Sequence, residues 1–76
     1  MRNVDKSAAR VADILDYMIN LKEPVSAAKI CADLNLPRSS AHALLHGLGD
    51  HGYLQRDAWG LWRLGEAIQA LELLKG

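Results

Sequence analysis

Three times before residue 50 the apolar residues recur at i, i+3, i+4 and i+7, and each run is soon cut off by residues that cannot continue a helix. Val11, Ile14, Leu15, Met18 and Ile19 make the first stripe, on a helix expected over about 7–20. Lys22-Glu23-Pro24 end it, because proline lacks an N–H and restricts the residue before it. Ala27, Ile30, Cys31 and Leu34 make the second stripe, on a helix over 27–34 with Ser26 as its N-cap and Asn35 as a left-handed stop. Pro37 then suits the opening of a third helix over 38–50, striped by Ala41, Leu44, Leu45 and Leu48 and stopped at Gly52. Helices this short, each with one apolar stripe, are stable only when the stripes cover one another.

After Gly52 the period changes. Tyr53-Leu54-Gln55-Arg56 and Leu61-Trp62-Arg63-Leu64 are two short β-like runs around Asp57-Ala58-Trp59-Gly60, a hairpin over about 53–64 with Leu54 and Trp62 inward and Gly60 left-handed. Gly65 closes it, and 66–75 reads as a last helix. The expected fold is mostly α with a small β-hairpin: a winged helix-turn-helix, with a three-helix bundle, a two-stranded wing and a C-terminal linker-like helix in a single domain over 1–76. A chain of 76 residues buries a modest share of its surface. Its one cysteine forms no internal disulfide, and no Cys/His spacing matches a structural zinc site, so a partner chain is the expected source of extra stability. No apolar signal region and no run near the ~18 residues of a membrane span is present, so a cytoplasmic protein without membrane contact is expected.

The third helix raises the functional question. At about 100° per residue, Ser39, Ala43, His46 and Asp50 lie opposite its apolar stripe, with His42 on the flank. A plain solvent face would carry Lys, Glu and Arg. In a helix-turn-helix the second helix enters the DNA major groove, about 12 Å wide, and short side chains let its axis approach the bases. Ser39 and Ser40 can bond phosphates or base edges, His42 and His46 can donate to purine N7 or phosphate, and Ala43 can meet a thymine methyl. The same short residues also suit a close helix contact between two chains.

Other residues carry weaker signals. His42 and His46 at i, i+4, with Asp50 at i+8, make two or three ligands on one exposed helix without an outer shell, so no metal site is expected, and no cofactor. Cys31, on an apolar stripe, is expected to be a buried, inert thiol. His51 is expected to cap carbonyls at a helix end. Trp59 at the wing tip has three open roles, on DNA, on a second subunit or on its own hairpin, and a protein contact is favoured beside Leu61. In the last helix Ile68, Leu71, Leu73 and Leu74, with Ala70, exceed what one core needs, which points to dimerisation.

These residues resemble the N-terminal DNA-binding domain of IclR-type bacterial transcription regulators. The resemblance runs from Ser7, Arg10 and Ile14-Leu15 through Ser26–Leu36, LPRSSAHALL and GYLQRD to Gly60–Gly65. It implies DNA contacts by Arg10, Arg38, Ser39, Ser40 and His42, with Arg56 and Arg63 supporting the wing side. It also implies dimers on palindromic operators, usually as repressors, and a small-molecule effector sensed only by a further domain absent from this chain. Four positions depart from the family pattern: Ala43 where Arg is common, Leu61 where a base is common, Trp59 in place of a polar turn residue, and Cys31 in place of Ala.

Nine basic residues balance nine acidic ones. Electrostatic affinity for DNA follows the phosphates neutralised rather than net charge, so Arg10, Lys29, Arg38, Arg56 and Arg63 can act if they share a side. The leading expectation is a sequence-specific DNA-binding module of a regulator. The alternative is a winged-helix protein–protein interaction or dimerisation module without DNA binding. An enzyme is not expected: the chain has no phosphate loop and no nucleophile–base–acid set.

Overall fold

A computed structural model describes the backbone of residues 6–75 and the side chains of 7–70. The elements follow in the order α1 (Lys6–Leu21), α2 (Ala27–Leu34), α3 (Arg38–Asp50), β1 (Leu54–Arg56), β2 (Trp62–Leu64) and α4 (Glu66–Lys75). The stripes meet as expected. Ile14 and Met18 of α1, Ile30 of α2 and Leu45 of α3 are fully enclosed, with Val25, Leu48, Leu54 and Trp62 around them. Each such side chain contributes about 1.5–3 kcal/mol relative to exposure.

The helix ends are chemically specific. The Ser26 side chain accepts from the Lys29 N–H at 3.1 Å, and Asn35 closes α2 in the left-handed region (φ 54°). Gly52 and Gly60 are left-handed too. Lys22 is the unexpected one. It adopts φ 60° directly after α1, its N–H donating to the Met18 carbonyl at 3.2 Å, so the helix stops by a left-handed turn two residues before Pro24.

The hairpin is antiparallel, pairing Leu54 with Leu64, Gln55 with Arg63 and Arg56 with Trp62. Its ladder is shorter than the run over 53–64, because 57–61 form the turn. On the far edge of β2, Trp62 exchanges two backbone hydrogen bonds with Val25 (2.7 and 2.9 Å), which ties the α1–α2 connection to the wing. A single bridging residue has no periodicity, so the sequence pattern did not reveal it.

Gly65 and Ala67 donate to the Tyr53 and Gly52 carbonyls (2.8 and 3.2 Å), drawing the first turn of α4 onto the end of α3. That contact turns Ile68 inward. It is 8% exposed and buried within its own chain, where dimerisation had been expected of it. The side chains of Leu71, Leu73 and Leu74 lie outside the described residues.

Between α1 and α2 the Tyr17 hydroxyl donates to Asp33 Oδ2 at 2.6 Å, and Lys29 Nζ reaches the same oxygen at 3.0 Å. Burial first, then the bond to Asp33 and the charges of Asp33 and Glu23, push the Tyr17 pKa up from 10.0 to about 12. The Tyr17 and Lys29 bonds hold the Asp33 carboxyl below the usual carboxylate range. Because the folded pKa of Tyr17 exceeds its unfolded value, its stabilisation is complete below pH 10 and is lost as pH rises through about 12. Asp33 has the opposite sign, its contribution being lost as pH falls below the ordinary carboxylate range. Melting curves of the wild type and Tyr17→Phe should therefore converge between about pH 10 and 12. A constant gap across that interval would show that the hydroxyl does not couple to folding.

Candidate nucleic-acid interface

The outward side of α3 is built by what its inward side needs. Ala41, Leu45 and Leu48 are buried against the core. The helix is thereby held with Arg38, Ser39, His42, Ala43, His46 and Asp50 exposed, and Ser40 half-buried on the flank. A packed role for Ser39, His42 and Ala43 inside the chain is excluded by that exposure. The N-cap of α3 is Pro37, with no side chain accepting from the first turn, whereas α2 has its serine cap. The free N–H groups and the positive end of the helix dipole thus face solvent beside Arg38 and Ser39.

The two histidines are not independent. The His42 and His46 rings stack at 5.0 Å between centroids, 11° from parallel. The edge of His46 in turn meets Trp62 at 5.3 Å in a T-shaped contact. Arg56 of β1 places its guanidinium 5.9 Å from the Trp62 ring centre and donates through Nε to the Gly60 carbonyl at 3.4 Å. A chain of contacts therefore runs from exposed His46 through the buried Trp62 ring to Arg56 and the wing turn. Gly49 permits it: a Cβ there would stand 3.3 Å from the Trp62 ring. The expected inward direction of Trp62 is observed, but the residue does more than fill the core, because its ring is the surface on which His46 and Arg56 are set.

The wing turn is equally defined. Asp57 Oδ1 accepts from the N–H groups of Trp59 and Leu61, both at 2.9 Å. The Asp57 N–H donates to the Leu61 carbonyl (2.8 Å) and the Gly60 N–H to the Asp57 carbonyl (3.0 Å). The signal for this turn was present, an Asp followed three residues later by Gly.

Other cations are placed differently. Arg63 alternates with the inward Trp62 and Leu64 and lines a separate groove of about 510 Å³ with Met18, Lys22, Glu23 and Pro24, away from the histidines. Arg10 is half-buried on α1, and no described contact joins it to α3. Lys29 pairs with Asp33 at 3.0 Å on the exposed side of α2. Arg38 and His42 share a shallow hollow of about 230 Å³ with Ala27, Ala28 and Cys31. Cys31 is half-buried there rather than enclosed, because it lines this hollow between α2 and α3. Among the described residues, no group of three or more His, Cys, Asp and Glu could hold a metal ion. His51 does cap its helix, its ring 3.0 Å from the Gly47 carbonyl.

A short turn between two helices, an exposed second helix and an adjoining two-stranded wing define the winged-helix class of DNA-binding domains. The chain belongs to the IclR helix-turn-helix family, whose domain pattern matches residues 7–58. Among solved structures it is similar to an IclR family transcriptional regulator from Brucella abortus (26% identity, TM-score 0.83, 96% of this chain and 28% of that one). It is also similar to the repressor BlcR of Agrobacterium tumefaciens (31% identity, TM-score 0.78, 99% and 29%). A third is HmgR of Pseudomonas aeruginosa (25% identity, TM-score 0.83, 92% and 30%). The chain thus spans less than a third of the length of these proteins. Comparison with curated protein sequences gives no match. The domain is a helix-turn-helix of the kind with which transcription regulators bind DNA. Among the described residues no helix is long and apolar enough to cross a membrane.

Proposed function

We propose that this domain reads a specific DNA sequence by laying α3 in the major groove, as one half of a dimer on a palindromic operator. The observation that carries the reading is the two-sidedness of α3: Ala41, Leu45 and Leu48 buried, with Ser39, His42, Ala43 and His46 turned to solvent above an uncapped helix start. Ser39 and the free N–H groups suit a phosphate, His42 and His46 suit purine edges, and Ala43 suits a thymine methyl. Arg38, Ser40 and Arg56 flank them, whereas Arg63 lines a separate groove and Arg10 lies on α1. Likeness to a repressor supports repression of a cytoplasmic bacterial promoter. Small-molecule sensing is assigned to a part of the regulator outside these residues.

Few cations per chain make a single copy a weak binder, and two copies on linked half-sites multiply the contacts. Duplexes recovered from a random pool should form a palindrome with half-site centres about 10 bp apart. Binding should fall steeply with salt and rise with protein concentration as dimers form. Tight, specific binding by dilute monomer would refute the dimeric part. No binding at any salt would refute DNA recognition and leave the protein-interaction module, which the exposed Trp59 would then serve.

A further inference from the structure

On the side of the domain away from the histidines, Lys22 and Glu23 after α1 and Arg63 on β2 stand around a groove floored by Met18, Ile19 and Leu64. We propose that this groove is a small-molecule site for a free aliphatic α-amino acid, its carboxylate held by Lys22 and Arg63 and its ammonium by Glu23. The site lies outside the DNA reading of α3 and does not depend on it. It is also separate from the sensing assigned to the rest of the regulator.

The charges around the groove are uncommitted. Among the described residues Lys29 with Asp33 is the one ion pair. The side chains of Lys22, Glu23 and Arg63 share one groove, yet form no ion pair or hydrogen bond with one another or with the rest of the chain. Two cations and one anion over an apolar floor are the complement of a zwitterion with an apolar side chain. A simple organic acid would leave Glu23 facing a like charge, and a simple amine would face two cations. Lys22 carries a second sign. It turns at φ 60°, where a helix stop favours glycine or asparagine. Its ammonium bonds none of the last carbonyls of α1, so the lysine is not explained as a cap.

The groove is built before a ligand arrives. Val25 and Trp62 exchange backbone hydrogen bonds at 2.7 and 2.9 Å, which fixes the segment carrying Lys22 and Glu23 against the strand carrying Arg63. Gln69 of α4 donates to the Leu64 carbonyl at 3.0 Å and closes a third side. Little backbone ordering is then left for binding to supply. The space of about 510 Å³ falls within the ~300–1,000 Å³ of small-molecule sites. No aromatic ring lines it, so its floor suits an aliphatic side chain rather than one that stacks.

The test uses the whole chain, with amide NMR shifts followed as L-leucine is added. Saturable shifts at Met18, Leu64 and Gln69 are expected, with a melting temperature that rises with leucine. Isocaproate lacks the ammonium and isoamylamine lacks the carboxylate. Each should bind about tenfold more weakly, the loss of one charge-assisted contact. Arg63→Gln should weaken leucine about tenfold and leave the melting of the free protein unchanged, because the side chain is exposed. Glu23→Gln should erase the preference for leucine over isocaproate. Lys22→Gly should raise the melting temperature, since glycine accepts φ 60°, and yet weaken leucine. A lysine that served only the turn could not give those opposite signs. Shifts that never saturate, or that are the same in Arg63→Gln, overturn the site. Isocaproate binding as tightly as leucine overturns the amino-acid assignment. Shifts at these residues that follow protein concentration without leucine overturn it in favour of a second copy seated in the groove. Each of these results leaves the α3 reading standing, because no duplex enters the measurement.

Discussion

Gly65→Ala is expected to leave the chain largely unfolded at room temperature. A Cβ at Gly65 would collide with the Gly52 carbonyl oxygen and stand 2.9 Å from its carbon and 3.1 Å from the Tyr53 carbonyl carbon. All three are backbone atoms, so no rotamer change relieves the contact. The two segments must separate, and with them go the hydrogen bonds from Gly65 to Tyr53 (2.8 Å) and from Ala67 to Gly52 (3.2 Å). Those bonds set α4 on the end of α3 and bring Ile68 into the interior. Overpacking costs about 1–3 kcal/mol where side chains can yield, and more where backbone must. Two hydrogen bonds at about 1 kcal/mol each and the partial exposure of Ile68 add to that. At about 0.05–0.15 kcal/mol per residue, a domain of this size has only about 4–11 kcal/mol in total. Urea titration followed by circular dichroism should find little or no folded baseline for the variant. A cooperative transition within a few degrees of the wild type on heating would show that the α3–α4 junction tolerates a side chain.

Why some of this could be read from the chain and some could not follows from the range of the interactions involved. Helix positions depend on stripes and caps that lie within a few residues of one another, so Ser26, Asn35, Gly52 and Gly60 all have the geometry their residue types favour. The exposed side of α3 was readable for the same reason, because it is the complement of a stripe. Contacts between elements were not. Arg56 and Arg63 are equivalent as letters, yet strand register sends one onto Trp62 and the other into a different groove. The Val25 bridge needs the wing already folded. Ile68 looked available for a second subunit because an apolar helix position does not say which surface covers it. The Lys29–Asp33 pair is a different case: its i, i+4 spacing is local, and it joins an exposed cation to an exposed carboxylate on α2.

Trp62→Ala should be nearly as damaging as the glycine change, and its consequences should spread further. The ring is 3% exposed, and truncating a buried tryptophan costs about 3–5 kcal/mol. Here the cavity would open among Gly49, His46 and Arg56. Gly49 has no side chain to reach into the space, so α3 cannot fill it. His46 would lose its edge contact and Arg56 the face over which it lies. The backbone bonds to Val25 do not depend on the side chain, so the α1–α2 connection should stay paired wherever the fold survives. Trp62→Phe separates the two roles. A smaller aromatic ring should retain most of the burial and lose about 1–2 kcal/mol, while His46 gains room to turn. Amide exchange and thermal melting should rank the wild type above Trp62→Phe and both far above Trp62→Ala. If the domain reads DNA through α3, Trp62→Phe should also weaken the selected duplex although it lies out of reach of it, because His46 and, through it, His42 would no longer be held in one orientation. Equal affinity in a stably folded Trp62→Phe would confine Trp62 to the core and separate the wing from the groove-facing helix.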